Sequence, residues 1–268
     1  MLVVIAQITG SIAYNSLVSF IAYFCFTIYC IKKFGKGQSI SSIFITIIAA
    51  RLLIGSYTIY LYFTESISGL PYFVIHLLAI TSGFLYLRLK SPLNILPFLL
   101  ASFFTVFMFF QGWHYWIHKS QYGTFTGEVS YSLPAKFEAF DEKKNLIDEN
   151  DFNDKVILLD FWTTNCGICF KKFPQVQAVY EKYKNDSSVM ILAVNAPLEE
   201  DKPNQAFDDT QKRGHTFSVV ITKDEDLAEK FGVKGYPTTF VINPNGQVIF
   251  KGDIEGAVKM VDKLKENY

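Results

Sequence analysis

Val156-Ile157-Leu158-Leu159-Asp160-Phe161-Trp162-Thr163-Thr164-Asn165-Cys166-Gly167-Ile168-Cys169 changes its period halfway along. Residues 156–159 are uninterrupted apolar side chains and predict a buried strand, whereas Phe170, Phe173, Val176, Val179 and Tyr180 recur at helical spacing. Cys166 and Cys169 therefore fall where a strand hands over to a helix, with Cys166 at the helix N-terminus. Unpaired N–H groups and the helix dipole favour negative charge there. A thiolate at Cys166 is favoured, and the thiolate is the species that attacks disulfides. Cys169, one turn on, is placed to resolve a mixed disulfide by attacking Cys166. Zinc sites also use C-x-x-C, but they need two further ligands, and no second cysteine pair lies in 119–268. The expectation is redox chemistry, with no metal and no cofactor beyond the Cys166/Cys169 pair.

Asp160-Phe161-Trp162, Cys166-Gly167-Ile168-Cys169 and, much later, Gly235-Tyr236-Pro237-Thr238-Thr239-Phe240 resemble the thioredoxin superfamily. Pro174 in the helix and the run Phe240-Val241-Ile242-Asn243-Pro244-Asn245-Gly246 are similar to its TlpA-like branch of membrane-tethered extracytoplasmic members. The resemblance covers about residues 129–268 and none of the first 118. It implies that Asp160 is a buried acid moving the proton of the resolving cysteine; burial would raise its pKa, which suits that task. It implies a cis bond before Pro237, which would set the Tyr236 backbone beside the cysteines for pairing with an extended substrate. Trp162 is expected on the rim of the site. Two positions depart from the branch: Lys172 stands where an acid is common, and Asn165 where Trp is usual. Gly167-Ile168 also lacks the proline of strongly reducing thioredoxins.

The 268 residues carry 25 basic and 25 acidic side chains, and the zero net charge hides an asymmetry. Residues 1–118 hold six basic side chains (Lys32, Lys33, Lys36, Arg51, Arg88, Lys90) and one acid (Glu65), which leaves 19 and 24 for 119–268. The first part has a membrane composition and the second a water-soluble, mildly acidic one. Neither clusters basic and aromatic residues in the way nucleic-acid surfaces do.

Four apolar stretches, 2–31, 40–63, 70–89 and 93–117, each reach the roughly 20 residues that cross a bilayer as a helix. The first reads as a retained span and not a cleaved signal peptide: its apolar stretch is long, no basic region precedes it, and more spans follow. Lys32, Lys33 and Lys36 fall between spans one and two and Arg88 and Lys90 between spans three and four, while 64–69 and the N-terminus have no Lys or Arg. By the positive-inside rule those two loops are cytoplasmic. The N-terminus and the C-terminal domain then both lie outside, in agreement with the resemblance, so the expected place is the bacterial cytoplasmic membrane with the thioredoxin-like domain facing the periplasmic side.

Arg51 lies near the middle of span two, where a charge is expensive; it either binds a partner or pairs inside the bundle. His76 in span three reads as a hydrogen-bonded structural residue. His114 and His118 share a helix face, a spacing that can hold metal or haem, but Trp113, Tyr115 and Trp116 make the stretch an interfacial aromatic belt. Cys25 and Cys30 are five apart on one helix, face different ways and read as packing residues.

The expected domains are a four-helix transmembrane part over 1–118, a linker over 119–128 and an α/β thioredoxin-fold domain over 129–268. In the last, strands are expected near Phe137 and over 156–161, 189–194, 217–221, 239–243 and 247–251. Helices are expected to about Tyr183 and over 204–213, 226–231 and 255–267, with a turn and short helix in 141–154. Strands alternating with helices and closing on a hairpin give a mixed central sheet.

The leading expectation is a membrane-anchored enzyme that reduces protein disulfides, fed by a separate membrane electron donor because the spans carry no cysteines on facing helices. The alternatives are a disulfide oxidase passing electrons to quinone and a non-enzymatic redox-sensing binding module.

Overall fold

A computed structural model describes residues 2–65, 69–224 and 226–267, so the loop 64–69 falls partly outside the described residues. The chain forms two compact units, Leu2–Ser120 and Gln121–Tyr268.

The first unit is helical. It contains α1 (Leu2–Phe34), α2 (Ile40–Glu65), α3 (Leu70–Arg88), a 3-10 turn (Leu93–Ile95), α4 (Leu96–Phe107), a π turn (Met108–Gly112) and most of α5 (Trp113–Tyr122). Four helical stretches, Ala13–Phe34, Ile40–Tyr57, Leu70–Arg88 and Leu93–Tyr122, are long and apolar enough to cross a membrane. α3 packs against α1, α2 and α4, and its Ile75, Ala79 and Ile80 are fully buried. Gly83 lets α3 approach α1, since a Cβ there would lie 3.0 Å from the Phe24 carbonyl oxygen. Arg51 is buried; its Nε donates to His76 Nδ1 at 3.0 Å, and its guanidinium lies 4.5 Å over the Phe73 ring. Tyr23 and Tyr72 pack their rings on His76. Of the two readings of Arg51, pairing inside the bundle has its partner. The His114 and His118 rings are 6.4 Å apart. Cys25 is exposed and Cys30 buried, both as free thiols.

The second unit places one eight-stranded sheet between helices. Its elements are β1 (Glu128–Ser132), β2 (Glu138–Phe140), β3 (Leu146–Asp148), a 3-10 turn (Glu149–Phe152), β4 (Val156–Trp162), α6 (Gly167–Tyr183), β5 (Val189–Asn195), α7 (Gln205–Lys212), β6 (Ser218–Thr222), α8 (Leu227–Lys230), β7 (Thr238–Ile242), β8 (Gln247–Gly252) and α9 (Ile254–Asn267). The sheet order is β1-β8-β7-β4-β5-β6-β2-β3. β4 runs parallel to β5 and antiparallel to β7, so the sheet is mixed. All seven residues of β4 are buried because both faces are covered. Alternation sends Ile157, Leu159 and Phe161 into one core and Val156, Leu158 and Trp162 into the other. Asp160 shares the parity of Leu158 and Trp162, which points it to the face that α6 and α9 cover.

Two parts of this unit differ from expectation. Helix α5 continues to Tyr122, within the stretch 119–128 read as a linker, and β1 begins at Glu128. β3 lies in the stretch read as turn and short helix; it is a three-residue edge strand pairing with β2, too short to show an alternation.

Candidate active site

The strand-to-helix turn is held by local polar contacts. Thr163 Oγ1 donates to Asn165 Oδ1 at 3.0 Å, and the Cys166 N–H donates to the Thr163 carbonyl at 3.1 Å. Thr164 donates to Asp201 in the loop after β5, and Asp201 also accepts from the Leu198 N–H at 2.9 Å. The turn delivers Cys166 to the N-cap position of α6.

Cys166 and Cys169 are joined as a disulfide, with Cα atoms 5.3 Å apart. The Cys169 N–H donates to Cys166 Sγ at 3.1 Å, a contact that would stabilise charge on that sulfur. Cys166 is half-buried and Cys169 fully buried. The two sulfurs are therefore unequal in access: a large partner can reach the first and not the second.

Asp160, on the strand that leads into this turn, is 1% exposed. Its Oδ1 accepts from Thr239 Oγ1 at 2.7 Å, across the antiparallel pair in which Asp160 faces Thr239. Burial pushes the carboxyl up to about 7, with the Thr239 hydrogen bond opposing. The group can therefore exchange a proton near neutral pH.

The Tyr236–Pro237 bond is cis. Pro237 is buried, and Tyr236 is half-buried; Tyr236 and Cys166 each pack against the core beside α6. Trp162 corrects an expectation. It is fully buried, with 0% of its surface accessible and its ring edge-on to Phe170 and Phe173. It supports the site from the core and does not form its rim. The last residue of a strand covered on both faces keeps the strand's inward direction.

Reading along the chain missed three neighbours. Thr239 was visible only through the register of β4 on β7. Glu255, in the first turn of α9, forms an ion pair with Lys172 of α6, and no local pattern signals a pair 83 positions apart in sequence. Arg213 lies 3.8 Å over the ring of Phe170, beside the cysteines on α6. Among the described residues no group of three or more His, Cys, Asp or Glu is placed to hold a metal ion.

Residues 131–251 match the AhpC/TSA family. The thiol-disulfide oxidoreductase ResA of Bacillus subtilis (strain 168) is 32% identical over 128 residues, which cover 47% of this chain and 69% of that protein. This chain belongs to the ResA-like thiol-disulfide oxidoreductases. ResA of Halalkalibacterium halodurans is 33% identical over 103 residues, 38% of this chain and 56% of that protein. The aligned chain thus spans a little over half of one ResA relative and about two-thirds of the other. A crystal structure of the thioredoxin domain of a thiol-disulfide oxidoreductase from Bacteroides vulgatus superposes with a TM-score of 0.44 at 21% identity, covering 50% of this chain and 96% of that one. The ResA-like part is the second unit, a thioredoxin-like domain with a mixed sheet.

Proposed function

We propose that this chain is a membrane-anchored reductase of protein disulfides that works outside the cytoplasm through Cys166 and Cys169. The observation that carries the reading is the inequality of the two sulfurs: Cys166 half-buried at a helix N-terminus, Cys169 buried behind it on the side of Asp160. In the reduced protein the Cys166 thiolate attacks a substrate disulfide. One Cys166–substrate bond forms, the substrate S–S bond breaks, and the first substrate sulfur leaves and takes a proton. Cys169 then gives its proton to the Asp160 carboxylate and attacks Cys166 Sγ. The Cys166–Cys169 bond forms, the mixed disulfide breaks, and the second substrate sulfur leaves as a thiolate that takes a proton from solvent. Two electrons have passed to the substrate, and a dithiol donor must return two to reset the enzyme. A separate membrane protein is the proposed donor, because the helical unit carries only Cys25 and Cys30. The substrate backbone would lie along Tyr236 and Pro237.

The anchor and its orientation rest on four apolar helices and on Lys32, Lys33, Lys36 and Lys90 at the ends proposed as cytoplasmic, against Lys119 at the outer end. The test uses the full chain in membranes. It should turn over insulin disulfides with a small dithiol as reductant, and a phosphatase fused after Lys119 should be active while one fused after Lys36 is silent. A single oxidation without turnover would make the protein a sensor, and the reverse fusion pattern would overturn the location.

A further inference from the structure

The buried stripe of α6 consists of Cys169, Lys172, Phe173, Val176 and Val179. Four of these are what a core helix face requires; the lysine is not. Lys172 is 3% exposed and lies one turn beyond Cys169 on the same face. An unpaired ammonium there would cost several kcal/mol. Its partner is Glu255 Oε1. Glu255 sits in the first turn of α9, where the helix end favours its charge. Asp253 caps that turn by accepting from the Gly256 N–H at 2.8 Å. The second oxygen, Glu255 Oε2, is buried and has no hydrogen-bond partner among the described residues. The pair is thus held at one oxygen only, in a core that α9 shares with β4 and β7.

Asp160 points to the side of the sheet that α6 and α9 cover, the two helices that carry this pair. The groups around that carboxyl are Thr239 from β7, Lys172 from α6, Glu255 from α9 and the Tyr122 phenol, itself beside Asp253 and Glu255. Lys172 draws the Asp160 carboxyl down and Glu255 pushes it up, both on top of the larger effect of burial. A cation and an anion that hold each other also act on one proton acceptor with opposite signs.

Building on the proton step proposed for Asp160, we propose that Lys172 and Glu255 are positioning residues for resolution by Cys169. Lys172 supplies the positive charge that lets Asp160 lose its proton and accept the one from Cys169. Glu255 fixes Lys172 and acts on Asp160 in the opposite sense, with the larger effect of the two. Neither residue touches the sulfurs or the substrate in this scheme; both act through Asp160.

The experiment is a single-turnover reaction of the reduced full chain, in detergent micelles, with a disulfide-linked fluorescent peptide dimer. An alkylating quench catches the mixed disulfide, and its decay against pH gives the resolution rate. That rate rises as Asp160 ionises. Lys172→Met should move the rise to higher pH and Glu255→Gln should move it to lower pH. A shift of about one unit, at the low end of what a neighbouring charge does to a carboxyl, is about a tenfold change in rate on the acid side. Lys172→Arg should restore the wild-type midpoint. The double variant Lys172→Met/Glu255→Gln leaves no lone buried charge and should fall between the two single variants, which keeps the test valid if either single variant folds poorly. A structural ion pair predicts something else: both single variants lose protein or rate together, with the midpoint unmoved or displaced in one direction. That result overturns the inference, provided Asp160→Asn still alters the profile. If Asp160→Asn leaves the profile as it is in the wild type, the proton step at Asp160 falls, and this inference falls with it.

Discussion

In the helical unit Leu53, Ile54 and Phe103 are each 76% exposed, whereas in the thioredoxin-like unit every residue of β4 is buried. The same residue types point outward in one unit and inward in the other. An outward apolar face suits a hydrocarbon surrounding, in which backbone groups must be satisfied within each helix. An inward one suits water, where burial of apolar surface drives folding. Their buried charges differ as well. Arg51 is met by a neutral acceptor, His76 Nδ1, and by the face of Phe73. Asp160 is surrounded by groups that themselves carry charge, Lys172 and Glu255. The first arrangement holds a charge still; the second can respond when a proton moves.

The largest contrast should appear in packing. Leu158→Ala opens a cavity in a strand covered on both faces and should destabilise the thioredoxin-like unit by about 2–5 kcal/mol. Leu53→Ala, on an exposed helix face, should change stability by no more than about 0.5 kcal/mol. Urea unfolding of the full chain in micelles, read by proteolytic protection of 129–268 and of the helices separately, checks both. Equal effects would mean that the helical unit's apolar face is covered.

Next in size is a dependence on pH. Burial raises the folded-state pKa of Asp160 to about 7, so between the ordinary carboxyl value of about 4 and that point the folded oxidised protein holds a proton that the unfolded chain has lost. Its stabilising effect is complete below that window and disappears as pH rises through it, by roughly 1.4 kcal/mol per unit. Oxidised wild type should therefore be less stable at pH 8 than at pH 5. Asp160→Asn should remove that slope and gain stability at pH 8, as read by thermal melts across pH. A slope that survives the substitution belongs to other groups.

How far these features could be read along the chain depended on their range. The buried run 156–159, the helical spacing after Cys169 and the Tyr236-Pro237-Thr238 sequence are local, and each marks its own element. Asp160 could be placed because its strand reads directly into the cysteines. Trp162 was misplaced because a residue next to a loop looks the same in sequence whether its strand is covered on one face or two. In the sequence Lys172 shows only as a departure from the family pattern; its meaning depends on Glu255, brought to it by the last helix of the fold. β1 and β3 were missed because edge strands of five and three residues carry almost no period.

The smallest effect is expected at Arg51. Its partners lie within the helical unit, so Arg51→Met should leave the rate of disulfide exchange by the full chain unchanged in the insulin assay. A loss of turnover with the protein still folded would give the helical unit a part in the chemistry and erase the contrast with Asp160.

The central claim is that Cys166 attacks and Cys169 resolves. It is tested most directly by incubating membranes that contain Cys169→Ser or Cys166→Ser chains with disulfide substrates, then separating the products on non-reducing gels. Cys169→Ser should accumulate a mixed disulfide through Cys166, and Cys166→Ser should accumulate none. Trapping by Cys166→Ser in place of Cys169→Ser would contradict the account.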